Sequence, residues 1–143
     1  MILLDVNVVL YAYRRDAPRH EHYAAWLHEA LRGPDDVALA DHVLTAVVRI
    51  ATSPAFVATP VSSTEALTYV DAIRSAPTAR QVIATQATWE RFAALVDGDP
   101  AIRGNLVPDA WLAALALSHG ASIATADRGF GRFPGLVHFD PAA

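Results

Sequence analysis

The 143-residue chain contains no cysteine and no lysine, and these two absences exclude several kinds of chemistry. Without cysteine there can be no disulfides, thiolate zinc sites or cysteine nucleophiles. Without lysine there can be no Schiff-base lysine and no Walker-type phosphate loop. All positive side chains are therefore arginines, which suit bidentate recognition of phosphates or of a partner's carboxylates.

The chain also lacks a long apolar segment and a net positive charge. Asp5 interrupts the first apolar run, so we find no stretch of the roughly 20 residues that span a bilayer. The N-terminus has no basic leader and no small-residue cleavage site, and we therefore expect a cytoplasmic protein without membrane association. The net charge of −4 argues against a general nucleic-acid coat but permits a local basic rim.

The remaining composition favours one folded domain that spans residues 1–143. Hydrophobic residues make up 53% of the chain and charged residues only 18%, so disorder is not expected. Apolar segments predict strands at residues 1–5, 37–39, 81–85, 122–125 and 137–139. Helical spacing predicts helices at about residues 8–13, 19–31, 41–52, 63–74, 88–96 and 108–119.

This alternation of strands and helices predicts an α/β fold, with a parallel sheet of about four to five strands and helices on both faces. Asp41 is expected to cap the third helix, and Ser63 or Thr64 the fourth. Gly120 is expected to end the last helix. In such folds the functional site lies beyond the carboxyl ends of the strands.

Three aspartates occupy positions that suit one shared site at this edge. Asp5 ends the opening run MILLD, Asp127 follows SIATA, and Asp109 opens the helix in PDAWLAALALSHG. Carboxylates gathered at a sheet edge repel one another unless a hard divalent cation neutralises them. We therefore interpret the chain as an enzyme that uses Mg²⁺ to hydrolyse phosphate esters, with these aspartates as catalytic and metal-binding residues. Each aspartate taken alone is also compatible with a helix cap or a turn.

Two polar side chains near these acids are candidate supporting residues. Asn7 could hold the Asp5 carboxylate or contact a metal-bound water, and its alternative role is a turn or cap residue. Thr125 could supply a hydroxyl to the same site or merely cap the strand end. Histidines 20, 22 and 28 do not share one helix face, so we do not expect them to form a metal site.

At this point the chain resembles the PIN-domain ribonucleases, specifically the VapC-type toxins of bacterial toxin–antitoxin pairs. The matching segments are MILLDVNVVLYAY, VVRIATSPAF and PDAWLAALALSHGASIATADRGFGRFPGL, in the expected order and spacing. The resemblance implies an endoribonuclease dependent on Mg²⁺, or on Mn²⁺ in its place, with Asp5, Asp109 and Asp127 at the family's acidic positions. It also implies a homodimer that a cognate antitoxin inhibits by inserting its C-terminal segment into the active-site groove. DNA would be bound only indirectly, through the antitoxin.

Five arginines are then candidates for contacts with RNA or with antitoxin carboxylates. Arg14, Arg15 and Arg19 follow the first helix, and Arg128 and Arg132 flank the Asp127 loop; a solvated surface is the alternative for each. Arg49 lies near the expected site as a supporting residue, with a structural ion pair as its alternative role.

Two positions depart from the family pattern. Ala46 occupies a place where the family commonly has glutamate, and Gly129 occupies one where a further acid is frequent. Asp41 lies five residues before Ala46 and on a different side of the helix, so we do not expect it to replace the missing ligand. These departures suggest a three-carboxylate site with more water ligands and weaker metal binding.

Two other functions compete with the nuclease. A PIN fold that binds metal or a partner without turnover would be consistent with Ala46 and Gly129. A phosphatase of another α/β family could use a strand-end aspartate as its nucleophile, but such enzymes commonly have a second acid two residues later, where this chain has Asn7.

Overall fold

The structure is a computed structural model that describes residues 1–143. Its strands are β1 (Ile2–Leu4), β2 (Val37–Leu39), β3 (Ala79–Gln81), β4 (Ser122–Ala124) and β5 (His138–Phe139). Its α-helices are α1 (Val6–Tyr13), α2 (His20–Ala30), α3 (Asp41–Ala51), α4 (Ser63–Arg74), α5 (Gln86–Gly98) and α6 (Leu106–His119). A 3-10 helix at Arg128–Arg132 precedes β5. None of the helices combines the length and the apolar character needed to cross a membrane.

The five strands form one parallel sheet in the order β3-β2-β1-β4-β5, which confirms the predicted fold class. The first strand lies at the centre of the sheet, between β2 and β4. Leu4 of β1 pairs with Ala124 of β4. Because the two strands are parallel and in this register, the residues that follow them, Asp5 and Thr125, are neighbours at the carboxyl edge of the sheet.

Hydrophobic cores cover both faces of this sheet. Successive side chains of a strand point to opposite faces, so Leu3 belongs to the core under α5 and α6, whereas Leu4 belongs to the core under α1, α2, α3 and α4. Each core contains 17 buried residues, so neither face is left open. The transfer of a leucine of this kind from water stabilises the fold by about 1.5–3 kcal/mol.

Helix α6 carries one of the candidate acids into the structure. The buried residues of this helix are alanines and leucines, including Ala113 and Leu115. Small residues let the helix approach the sheet closely, and Asp109 lies in its first turn. The helix ends at Gly120, whose φ of 65° is a left-handed conformation that glycine adopts without steric cost, as predicted.

Several predicted boundaries were wrong. The third strand was expected at residues 81–85, but it lies at Ala79–Gln81 because Val37 pairs with Ala79 and sets the register. The apolar residue Ile83, which suggested a strand, lies two residues beyond the end of β3 and is 65% exposed. The first helix begins at Val6 rather than Val8, because Asp5 caps it.

Two predicted helix caps also lie elsewhere. Ala40 is the N-cap of α3, and Asp41 is the first helical residue, with its carboxylate accepting a hydrogen bond from Gln81 Nε2 at 2.7 Å. Ser62, rather than Ser63 or Thr64, caps α4 by accepting a hydrogen bond from the backbone N–H of Glu65. In each case the extended cap residue precedes the position at which we expected it.

Candidate active site

The three candidate acids line one cleft at the carboxyl edge of the sheet. The cleft has a volume of about 390 Å³ and lies between α1, α3 and the first turns of α6. Asp5 reaches it from the end of β1, Asp127 from the loop after β4, and Asp109 from α6. The fold therefore brings together residues that are up to 122 positions apart, from 5 to 127, in the sequence.

Asp5 is the most firmly held of the three. Its side chain is buried, and Oδ1 accepts a hydrogen bond from the backbone N–H of Val6 at 2.7 Å. Oδ2 accepts bonds from Thr125 Oγ1 at 2.7 Å and from Asn7 Nδ2 at 2.8 Å. Burial nevertheless raises the pKa of Asp5 from its usual value; these hydrogen bonds oppose the rise, and the charge of Asp127 adds to it.

Asn7 and Thr125 connect Asp5 to the loop after β4. Asn7 Oδ1 accepts a hydrogen bond from the backbone N–H of Ala126 at 3.0 Å, and Asn7 Nδ2 also donates to Thr125 Oγ1 at 3.3 Å. Thr125 Oγ1 in turn accepts the backbone N–H of Asp127 at 2.9 Å. The two residues thus lie where the sequence analysis expected a supporting role, and they fix the orientation of both strand-end acids.

Asp109 differs from Asp5 because no protein group stabilises its charge by a hydrogen bond. It is half-buried in the first turn of α6. Burial is the main cause that raises its pKa, and the negative charges of Asp5 and Asp127 raise it further. The three carboxylates therefore interact unfavourably, which is the electrostatic situation that a bound cation relieves.

The chemistry of these donors fits a hard cation, and their spacing limits how one could be held. All of the candidate ligands are carboxylate oxygens, which Mg²⁺ and Mn²⁺ prefer. No group of three or more acidic or histidine side chains stands close enough to enclose an ion directly. Mg²⁺ is commonly bound through only one or two carboxylates, with waters as its other ligands. The geometry matches that mode better than a cage made of protein atoms alone.

The positions that depart from the family pattern have clear structural consequences. Ala46 lines the cleft and contributes no charge. A Cβ atom at Gly129 would lie 2.9 Å from Oδ1 of Asp127, and the backbone N–H of Gly129 donates to that same oxygen at 2.7 Å. A larger residue at 129 would therefore force Oδ1 of Asp127 to move and would disturb its hydrogen bond. Asp41 is absent from the cleft, as expected.

The candidate arginines fall into two groups. Arg14 forms an ion pair with Asp16 at 2.9 Å, and Arg132 forms one with Asp99 at 3.2 Å. Three of them have no carboxylate partner: Arg15 lines a second, basic surface pocket, Arg128 is exposed directly after Asp127, and Arg49 lines the cleft.

Two residues of the cleft were missed by the sequence analysis. Tyr11 lies on α1 one turn after Asn7, and His42 lies on α3 one turn before Ala46. Partial desolvation lowers the pKa of His42, while the negative charges of Asp41 and Asp5 oppose the shift. The i+4 spacing from residues already placed at the site was the signal that could have identified both.

Comparison with known proteins relates the chain to one family. A family model described as the PIN domain matches residues 2–136. Ribonuclease VapC43 of Mycobacterium tuberculosis is 36% identical over 133 residues, which cover 93% of this chain and 90% of the relative. Ribonuclease VapC37 of the same organism is 39% identical over 145 residues, which cover 100% and 99%.

A solved structure has the same fold. The VapBC2 structure from Rickettsia felis, bound to a DNA fragment from its promoter, matches with a TM-score of 0.72. The match covers 98% of each chain at 19% identity, so it is a likeness of fold alone.

Proposed function

This chain belongs to the PIN-domain family, and we propose that it is a metal-dependent endoribonuclease, the toxin of a bacterial toxin–antitoxin pair. The observation that carries the proposal is the arrangement of Asp5, Asp109 and Asp127 around one cleft, where burial raises the pKa of Asp109 and the like charges of the other two acids raise it further. The names of VapC43 and VapC37 describe ribonucleases, and both relatives align with at least nine-tenths of this chain. We extend the domain to the whole of residues 1–143.

Mg²⁺, or Mn²⁺ in its place, is the cofactor that we propose for these three aspartates. When bound, such an ion would supply Lewis-acid polarisation of an RNA phosphodiester and activation of water for hydrolysis. Asp109 has both oxygens free of protein hydrogen bonds, so it is available to a cation or to its waters. Asn7 and Thr125 keep Asp5 in one orientation, and the N–H of Gly129 does the same for Asp127.

RNA would enter over a surface that carries several arginines. Arg15 lines a pocket with Arg19 and His20, and His20 contacts the backbone oxygen of Tyr11 at the wall of the cleft. Arg128 is exposed directly after Asp127 and would add positive charge next to that acid. Arg14 and Arg132 are held by exposed or half-exposed aspartates, and such surface pairs contribute only about 0–1 kcal/mol. Each can therefore exchange its aspartate for a phosphate or for a partner's carboxylate.

We further propose a cognate antitoxin that blocks the cleft, a homodimer, and a location in the bacterial cytoplasm, where RNA is present. Trp89 offers an exposed apolar surface for a second copy, since the residue is 57% exposed. It is exposed although its ring packs against that of Trp111, with 4.6 Å between the ring centres. Contact with DNA would come only through the antitoxin. Light scattering of the purified chain measures the assembly state and would contradict the dimer if only a monomer were present.

The test of the nuclease is incubation of the purified chain, free of any partner, with total RNA in Mg²⁺, Mn²⁺ or EDTA. Asp5→Asn and Asp109→Asn are compared with Asp35→Asn, a matched change of an exposed aspartate outside the cleft. We expect discrete cleavage that requires metal, disappears in the two site variants and persists in the control. Cleavage that survives in EDTA or in Asp109→Asn would contradict the proposed centre.

A binding module without turnover is the second candidate, and Ala46 is the observation that favours it, because it leaves one wall of the cleft without a carboxylate. A parent chain that is inactive, together with an Ala46→Glu variant that cleaves RNA, would support this candidate. An active parent that gains nothing from the glutamate would count against it. The phosphatase is disfavoured because Asn7, in place of a second acid, uses its amide to hold Asp5.

A further inference from the structure

Arg49 is the only arginine that lines the acidic cleft. It lies on α3, three residues after Ala46 and on the same helix face. Its guanidinium forms no ion pair, although three carboxylates line the same cleft. An arginine in this position retains donors that can bind an anion from outside the protein.

Ala46 explains why the guanidinium is unpaired. A glutamate three residues before an arginine on one helix face forms a favourable ion pair with it. The methyl group of Ala46 cannot do so, and the nearest acid of α3, Asp41, is bound to Gln81 instead. The missing carboxylate thus changes the charge of this wall of the cleft from neutral to positive.

Phe56 holds the side chain of Arg49 in place. The guanidinium carbon lies 5.5 Å from the centre of the Phe56 ring, which is the geometry of a cation–π contact. Phe56 follows α3 in a short loop and is 59% exposed, so burial in a core does not account for its position. A ring that supports one side of a guanidinium leaves the edge of that planar group free to bind an anion.

We propose that Arg49, supported by Phe56, binds an RNA phosphate that neighbours the one to be cleaved. The proposal deepens the nuclease function proposed above and rests on it for the identity of the ligand. RNA that approaches the three carboxylates is repelled, and a cation that lines the same cleft from α3 offsets this repulsion for the adjacent part of the backbone. A planar guanidinium also fixes the register of the strand, because it can bind two phosphate oxygens at once.

The test measures binding separately from cleavage. Because a phosphate contact is independent of base sequence, the probe is a fluorescein-labelled, mixed-sequence, single-stranded RNA of 12 nucleotides. Its anisotropy is titrated with Asp109→Asn protein, which prevents turnover, over a series of salt concentrations. The added changes are Arg49→Ala, Arg49→Lys, Phe56→Ala and Phe56→Tyr. Arg91→Ala is the matched control, since Arg91 is exposed on α5, outside the cleft and without an ion pair.

We expect Arg49→Ala to weaken binding by about tenfold, and the salt dependence of log affinity to fall by about 0.7, the value for one phosphate contact on a single strand. Arg49→Lys should keep the salt dependence and recover part of the affinity, because the charge remains without the fork. Phe56→Ala should weaken binding by about threefold, and Phe56→Tyr should restore it. Arg91→Ala should match the parent.

Three results would overturn the assignment. Unchanged affinity and salt dependence in Arg49→Ala would leave the guanidinium for a different ligand, such as an acidic protein segment. An equal loss in Arg91→Ala would show a general effect of charge. Calorimetry would also measure Mn²⁺ binding to the Arg49→Ala variant of the otherwise unchanged chain. Weaker binding than in the parent would show that Arg49 positions the three acids instead of binding RNA.

Failure of this proposal can be told apart from failure of the nuclease. If the unchanged chain cleaves RNA with metal and Arg49→Ala cleaves subsaturating RNA at the same rate, the nuclease stands and the phosphate contact is refuted. If the unchanged chain does not cleave and the binding results are as expected, the contact between Arg49 and an RNA phosphate stands, and the nuclease, together with the place of that phosphate next to a cleaved one, is refuted.

Discussion

Replacement of Thr125 by valine tests the network that holds the central acid. Thr125 is 1% exposed, and its hydroxyl donates to Asp5 Oδ2 at 2.7 Å while accepting the N–H of Asp127. Valine preserves the shape and removes these bonds. A hydrogen bond to a charged group contributes about 1.5–3 kcal/mol, and we expect Thr125→Val to lower the free energy of unfolding by about 2–3 kcal/mol.

The melting temperature should fall accordingly. Unfolding entropy of about 2.1 cal/mol/K per residue gives about 0.3 kcal/mol/K for 143 residues, so the decrease should be about 7–10 °C. The assay is thermal and urea unfolding in EDTA at pH 7, so that metal binding does not contribute. RNA cleavage should fall by about 10–100-fold, the usual cost of losing a group that orients a metal ligand.

Thr125→Ser is the control, because it keeps the hydroxyl and loses only a buried methyl group, at a cost of about 1 kcal/mol. The expected order of stability is unchanged chain, serine variant, valine variant. If the valine variant melts above the serine variant, packing of the methyl group rather than the bond to Asp5 stabilises this position, and the reasoning is refuted.

Three further predictions address other contacts. Asp109→Asn should raise the melting temperature of the metal-free protein, and the increase should be larger at pH 8 than at pH 5. The pKa of the Asp109 carboxyl is higher in the folded protein than in the unfolded chain, so its ionisation lowers the stability of the fold as the pH rises. Asparagine does not ionise and therefore avoids this loss. A pH-independent difference in melting temperature would contradict this. Gly129→Ala should reduce RNA cleavage about tenfold with little change in stability, because the Cβ of the alanine would displace Oδ1 of Asp127. Full activity of this variant would show that the loop accommodates the alanine. Tyr23→Phe removes the hydrogen bond that the tyrosine hydroxyl donates to Asp140 at 2.8 Å, and it should lower the free energy of unfolding in urea by about 1 kcal/mol. Spectroscopic titration of the unchanged chain should give a Tyr23 pKa raised to about 12.

The position of the two strand-end acids could be predicted because it depends only on the direction and the order of the strands. Once β1 and β4 are recognised as parallel neighbours, Asp5 and Asp127 must lie at the same sheet edge. The same reasoning placed Asn7 and Thr125 beside them, although the individual hydrogen bonds required coordinates. The apolar helix behind Asp109 indicated that this acid was not a simple surface cap.

The walls of the cleft could not be predicted in the same way. Tyr11 and His42 share a helix face with Asn7 and Ala46, but this spacing alone does not show how far along each helix the cleft extends, because that depends on how α1 and α3 pack. The third strand was misplaced because exposed Ile83 has the apolar character of a strand residue. The partner of Asp41 was missed because Gln81 is 40 residues away in the sequence.

The central position of β1 has a consequence for the order of events during synthesis. This strand leaves the ribosome before the other four, yet β4, its neighbour on one side, ends only at residue 124, and the hydroxyl that holds Asp5 belongs to residue 125. Contacts between such distant segments form late in folding. A nascent chain therefore has its first acid long before it has a formed centre, and a messenger truncated before this point yields a product without one.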